Sequence, residues 1–448
     1  MKKIFQLIAL SVFLVYACGH NIDDYTADDD QLKAAIAKAT SKGDIGEYIM
    51  PNSTDLKAIP NQDRKNPLTA EKVAVGKMLF FEPGIGLVGK NTALRQTYSC
   101  ASCHVPSRGF TPGRYQGIAD GGIGFGISGE SRFKSPLYQG DDVDAQGARP
   151  LTMHNLAYVT NTLWAGNFGS FGTNIGTESA WHQDTLTEIN FLGLEGLEAN
   201  NMRALQVHRQ LMNKDIADSL GYKALFDKAF PEIPETDRYT LKTTAFAIAA
   251  YFRTILTNQA PFQRWLKGES KSMTQEQKNG ALIFFTRGGC VNCHRGPALN
   301  QMTYLALGVN NLYQSNYAVF RTDIKDKRNL GRGGFTGRPE DMHKFKVPQL
   351  YNLKNVGFYF HGASKTSLEA VVEYFNTGIP ENTNVPTAQI ANAFHPLNLT
   401  QKEKSDLVEF LKNGLYDPAI ERYVPNKVMS GKCFPNNDLI SKIEMRCY

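Results

Sequence analysis

The chain has 448 residues and a formal net charge of +6 at pH 7, with 42% hydrophobic and 21% charged residues. That composition is globular rather than disordered, and the length allows two or three domains with sizeable cores. No dense Lys/Arg tract occurs, so nucleic acid is not implied as a partner.

The N-terminus sets the compartment. Lys2 and Lys3 form a short basic region, and Ile4 to Ala17 an apolar one too short to span a bilayer as a stable helix. Residues 1–17 therefore read as a signal peptide. Val15-Tyr16-Ala17-Cys18 resembles a bacterial lipobox. Cleavage before Cys18 and lipidation of its thiol would tether the mature chain to a membrane; ordinary secretory cleavage near Ala17 is the alternative. Either way the chain is expected in the periplasm or cell envelope. Residues 18–60 are polar and begin acidic, with Asp23, Asp24 and Asp28-Asp29-Asp30, and read as a solvated, lipid-anchored tether. Structure is expected to begin near Leu68-Thr69, with Thr69 capping a helix that carries Val73, Met78, Leu79 and Phe80.

Cys100-Ala-Ser-Cys103-His104 follows that helix. C-x-x-C-H is the attachment signature of a c-type haem. The thiols form thioethers with the haem vinyl groups, and the histidine lies under the iron as proximal ligand. C-x-x-C alone would also suit a redox dithiol or half a zinc site. The adjoining histidine argues against both, and Cys290-Val-Asn-Cys293-His294 repeats the signature. Two covalent haem c groups per chain are expected.

A glycine-rich stretch from His104 to Gly147 reads as loop near the first haem. Leu241, Ala245, Ile248, Ala249, Phe252 and Ile255 have helical spacing and close a first domain, 61–262. The second, 263–448 with its tail, opens on Thr274 and Gln277, a capping-box pattern before Ala281 to Phe285. Thr400 and Glu403 repeat the pattern ahead of Leu407, Phe410 and Leu411. The fold class is mostly α, with long loops. Cys433 and Cys447 remain near the C-terminus; an oxidising compartment favours a disulfide between them, and two free thiols are the other reading.

These residues resemble the bacterial di-haem cytochrome c peroxidases and the related MauG-type enzymes. Besides the haem motifs, the resemblance is carried by Gly76-Lys-Met-Leu-Phe-Phe81, Ala250-Tyr-Phe-Arg-Thr254, Pro261-Phe-Gln-Arg264, Phe345-Lys-Val-Pro348, Tyr359-Phe-His-Gly362 and Leu397-Asn-Leu-Thr400. It implies two cytochrome-c-like haem domains, the first peroxidatic and the second receiving electrons. It implies hydrogen peroxide as substrate and a soluble donor, a cytochrome c or cupredoxin. It places Trp164 between the haems and Glu198 as the proton-handling acid, with Glu195 a nearby competitor. Read without it, Trp164 is a packing residue and Glu198 a surface carboxylate.

The departures carry expectations too. Residues 105–153 hold no histidine to cap the first iron, and His154 reads as structural. Phe375 fills the slot for the sixth ligand of the second iron and cannot ligate; Tyr374 is the nearest group that could. Arg149 stands where the family often has an asparagine serving an inter-domain calcium, so calcium is doubtful. His361 either lines the space between the haems or satisfies a buried hydrogen bond. A MauG-type oxidase acting on a protein, and a non-catalytic electron-transfer cytochrome, are the alternative functions. A homodimer is left open.

Overall fold

The computed structural model describes residues 27–447. The expected signal peptide and Cys18 lie outside them. Among the described residues no helix is long and apolar enough to cross a membrane. The chain is mostly helical and loop. Its strands form two short antiparallel ribbons, Gly122–Ile123 with Phe133–Lys134 and Tyr304–Leu305 with Phe345–Lys346.

Seven helices matter for the site: α1 (Asp29–Lys38), α2 (Ala70–Phe80), α3 (Gly196–Val207), α4 (Leu241–Thr254), α5 (Gln275–Phe285), α6 (Leu368–Thr377) and α7 (Gln401–Glu409). Their starts follow local chemistry. Thr69 caps α2, and Thr274 with Gln277 and Thr400 with Glu403 form full capping boxes on α5 and α7.

The same construction appears twice. The helix preceding each haem motif crosses a later helix at a glycine. A Cβ on Gly76 of α2 would lie 1.9 Å from Ala247 O of α4, and one on Gly280 of α5 would lie 2.0 Å from Asp406 O of α7. Only a residue without a Cβ permits either crossing. Around the first crossing, Leu79, Phe80, Ile248 and Phe252 build one core; around the second, Ile283, Phe284, Leu407 and Phe410 build another. Each such buried side chain contributes roughly 1.5–3 kcal/mol.

The chain ends cross over. Helix α1 buries Leu32, Ala35 and Ile36 in the second core, and Trp265 Nε1 donates to Asp29 Oδ1 at 2.9 Å. The expected solvated tether is therefore corrected for residues 27–60. Asp28 caps α1, and Leu32, Ala35 and Ile36 recur at helical spacing behind the acidic run that dominated the reading. At the other end Ile420, Tyr423 and Val428 pack into the first core, and Cys433 is bonded to Cys447. The tail reaches the first haem motif, where Ser99 Oγ donates to Pro435 O at 2.9 Å and Asn437 N to Thr97 O at 3.0 Å.

Candidate active site

Each motif is one tight turn. Cys100–Ser102 and Cys290–Asn292 are 3₁₀ turns, and the histidine N–H returns to the first cysteine carbonyl, His104 to Cys100 at 3.1 Å and His294 to Cys290 at 2.9 Å. His104 Nδ1 lies 3.1 Å from Phe110 O, and His294 Nδ1 2.9 Å from Leu299 O. A carbonyl only accepts, so Nδ1 carries the proton and Nε2 presents a lone pair. Burial holds both imidazoles down to about 4, neutral and ready to ligate. Burial also pushes the thiols of Cys100 up to about 11 and of Cys103 and Cys290 to about 12. A redox dithiol needs the opposite shift.

Above the first motif opens a cavity of ≈ 660 Å³, lined by Cys100, Cys103 and His104. Cofactor sites occupy about 300–1,000 Å³. Thiols, imidazole lone pair and volume together fit a covalently held haem.

Trp164 is on the cavity wall and half-buried. Its Nε1 donates to Arg149 O at 2.7 Å, and its own carbonyl accepts from Lys346 N at 2.8 Å. Its ring meets His361 edge-on, centroids 6.1 Å apart, and His361 stacks on Phe345 at 3.5 Å. His361 Nε2 also lies 2.9 Å from Asn311 Oδ1, so this histidine both flanks Trp164 and satisfies a buried hydrogen bond.

Glu198 is elsewhere. It is fully buried on the side of α3 turned to α4, where Arg253 Nη1 and Nη2 donate to its two oxygens at 2.5 and 2.7 Å. Asn66 Nδ2 adds a bond at 2.9 Å. The cavity is lined instead by Leu197, Asn200, Asn201, Ala204 and His208, a stripe at helical spacing. Glu198, the expected proton shuttle, is off this lining, and both of its oxygens are bonded, to Arg253 and Asn66. Glu195 ends the preceding loop as the N-cap of α3 and is also off the lining.

Tyr374, the expected sixth ligand, packs apart from the core that Cys290 joins. Its hydroxyl donates to Leu307 O at 2.7 Å, so it is protonated, and it packs with Val309 and Phe394 in a small separate cluster. The residues of α6 that join the core around Cys290 are Leu368 and Val372. His154 is buried beside Phe110, centroids 6.4 Å apart, and off the cavity lining. Arg149 Nη2 donates to Pro112 O and Val356 O, tying the two halves together.

The sequence reading missed His208, Asp144, Asn201 and Lys346, all on the cavity wall. His208 Nδ1 lies 2.7 Å from Asp144 Oδ2. Burial opposes charge on this imidazole, but the charge of Asp144 and its hydrogen bond prevail and raise its pKa. The stripe 197, 201, 204, 208 was the available signal.

Two C-x-x-C-H turns on a helical framework are the arrangement expected of a di-haem c-type protein. Residues 70–271 match the di-haem cytochrome c peroxidase family model. Cytochrome-c peroxidase IdrP1 of Denitromonas iodatirespirans is 26% identical over 401 residues, 85% of this chain and 90% of that protein. The methylamine utilization protein MauG of Methylorubrum extorquens is 27% identical over 433 residues, 94% of this chain and 98% of that protein. The crystal structure of a MauG-like protein associated with microbial copper homeostasis shares the fold, with a TM-score of 0.57 at 22% identity over 83% of this chain and 95% of that one. The chain is thus similar, over most of its length, to di-haem cytochrome c peroxidases and MauG proteins.

Proposed function

We propose that the protein reduces hydrogen peroxide to water, taking two electrons and two protons per peroxide, with the electrons delivered by a cytochrome c or cupredoxin. The observation that carries this reading is the cavity over Cys100, Cys103 and His104, with polar side chains on its wall and a tryptophan at the seam between the halves. Cys100, Cys103, Cys290 and Cys293 hold the haems, with His104 and His294 as proximal ligands. Bound there, the haems would supply electron storage and redox-active iron.

The remaining work falls to the protein. Phe110 O and Leu299 O fix the tautomer and direction of the proximal imidazoles. Trp164, hydrogen-bonded to Arg149 and edge-on to His361, bridges the two halves and suits passage of electrons. His208, oriented by Asp144 and facing the cavity, holds a proton where peroxide needs one. Residues 61–262 and 263–448 are the two cytochrome-c-like domains, with the N-terminal arm on the second and the C-terminal tail on the first. Secretion, and a lipid anchor at Cys18, follow from the leader sequence. The two thioether-held groups make the test direct. A pyridine haemochrome assay should give two covalent haems, and peroxide turnover should appear with reduced cytochrome c or with a reduced cupredoxin. Haem extractable by acid acetone, or no turnover with either donor, refutes the reading.

A further inference from the structure

Two cations on the cavity wall lack counter-charges. Lys346 is 4% exposed, and its Nζ makes one hydrogen bond, to Asn161 O at 2.8 Å. Arg149 is 4% exposed; its Nη2 donates to Thr111 Oγ1 at 3.2 Å, Pro112 O at 3.1 Å and Val356 O at 3.3 Å, while its Nε is buried with no partner. Among the described residues neither cation is within ion-pair distance of a carboxylate.

The other charges of the cavity are accounted for. Arg328 pairs with Asp326, and Lys327 is exposed. Asp144 is held by His208, and Asp184 is exposed at the mouth. Burial without a counter-charge pushes Lys346 down to about 7 and Arg149 to about 9. An uncompensated ion in the interior costs several kcal/mol even after relaxation. Two on one wall imply an anionic occupant whose charge is missing from the polypeptide. A haem carries two propionate carboxylates on the edge away from its vinyl groups, and guanidinium and ammonium groups are natural partners for carboxylates.

We infer that Arg149 and Lys346 form the anion site for the propionates of the haem held at Cys100 and Cys103, as positioning residues that fix its orientation and its potential. The inference rests on the haem reading of the cavity. Because Arg149 is also tied to Val356, and Lys346 to Asn161 across the two halves, the same cations couple haem seating to the seam.

The test uses the full-length haem-loaded protein in Lys346→Met, Lys346→Arg and Arg149→Gln forms. Spectroelectrochemical titration reads both midpoint potentials, and resonance Raman reads the propionate bending bands. Loss of a cation beside the propionates disfavours the reduced haem, so one of the two potentials should fall in K346M and R149Q. The propionate bands should shift in the same variants, and K346R should restore both. If K346M does not accumulate with haem, R149Q and Lys346→Gln decide the question alone. Wild-type potentials and bands in every charge-removing variant overturn the inference. A wild-type protein without two covalent haems overturns the haem reading beneath it, and the pyridine haemochrome assay separates the two failures.

Discussion

The indole of Trp164 stands edge-on to the imidazole of His361, centroids 6.1 Å apart and planes at 69°. The contact joins a residue on the wall of the first cavity to one in the C-terminal half. His361 closes the arrangement from behind, since Arg149 N donates to its carbonyl at 2.7 Å and Arg149 O accepts from the indole. Trp164→Phe keeps a ring there but removes the indole N–H and much of its electron-donating power. Both haems should be retained and steady-state turnover should fall at least roughly tenfold, about 1.4 kcal/mol on the barrier. Stopped-flow reduction of the first haem through the second should slow in parallel. An unchanged rate would leave Trp164 a packing residue.

Glu198 and Arg253 form a fully buried pair, so breaking it acts on stability. Glu198→Gln leaves the guanidinium without its charge partner and should cost about 3–5 kcal/mol. Turnover per intact haem should stay near wild type. A proton-shuttle role would give the reverse, an unaltered urea midpoint with a rate loss of about 10²–10⁴. Denaturation and kcat measured on one preparation separate these cases.

The tail is the third test. The Cys433–Cys447 bond closes a loop of 14 residues in sequence separation, and the strap it closes lies on Thr97 and Ser99 beside the first haem turn. Loop entropy alone gives about 3 kcal/mol for a bridge of this span. Cys433→Ser with Cys447→Ser should lower stability by about that much, and amide exchange should rise locally in residues 97–102. Peptide mapping that recovers both wild-type thiols free would refute the bridge.

What was legible in the sequence was local. The haem turns, the caps at Thr69, Thr274 and Thr400, and the period of α4 are each settled within about a dozen residues, and all are present. What was hidden depends on partners far away in the chain. Nothing near Glu198 announces Arg253, and nothing near Lys346 announces the carbonyl of Asn161. The N-terminal arm was misread because its acidic run outweighed a weak apolar stripe that only the second core completes. His208 went unnoticed because a lone histidine at a helix end is usually surface; its meaning comes from Asp144, 64 positions earlier.

Calcium is the fourth test. Arg149 places a guanidinium against the carbonyl oxygens of Pro112 and Val356, where the two halves meet. A fixed cation already binds these acceptors, so a divalent ion has little to gain there. Exhaustive chelation should leave the Soret spectrum and peroxide turnover unchanged. A loss restored by calcium would show a metal site that the guanidinium does not replace.

The last prediction concerns the open face of the first haem. Residues 105–153 contain no histidine, His154 is off the cavity lining, and His208 is the histidine that faces the cavity besides His104. Asp144 raises the pKa of His208. Below that raised value the imidazole is a cation with protons on both nitrogens, able to donate a hydrogen bond and unable to ligate iron. As pH rises through it, the proton is lost. The fully ferric protein should therefore bind cyanide and react with peroxide without prior reduction, since a state already competent carries no conformational penalty. The rate of reaction with peroxide should decline as pH rises through the His208 pKa. In Asp144→Asn the supporting charge is gone, so the decline should move to lower pH. The Soret band reads both effects. If neither ligand binds until one electron is added, a side chain already occupies the iron. His208→Gln would then show whether it is this one: opening of the ferric site in that variant would convert the proposed proton donor into a displaceable ligand.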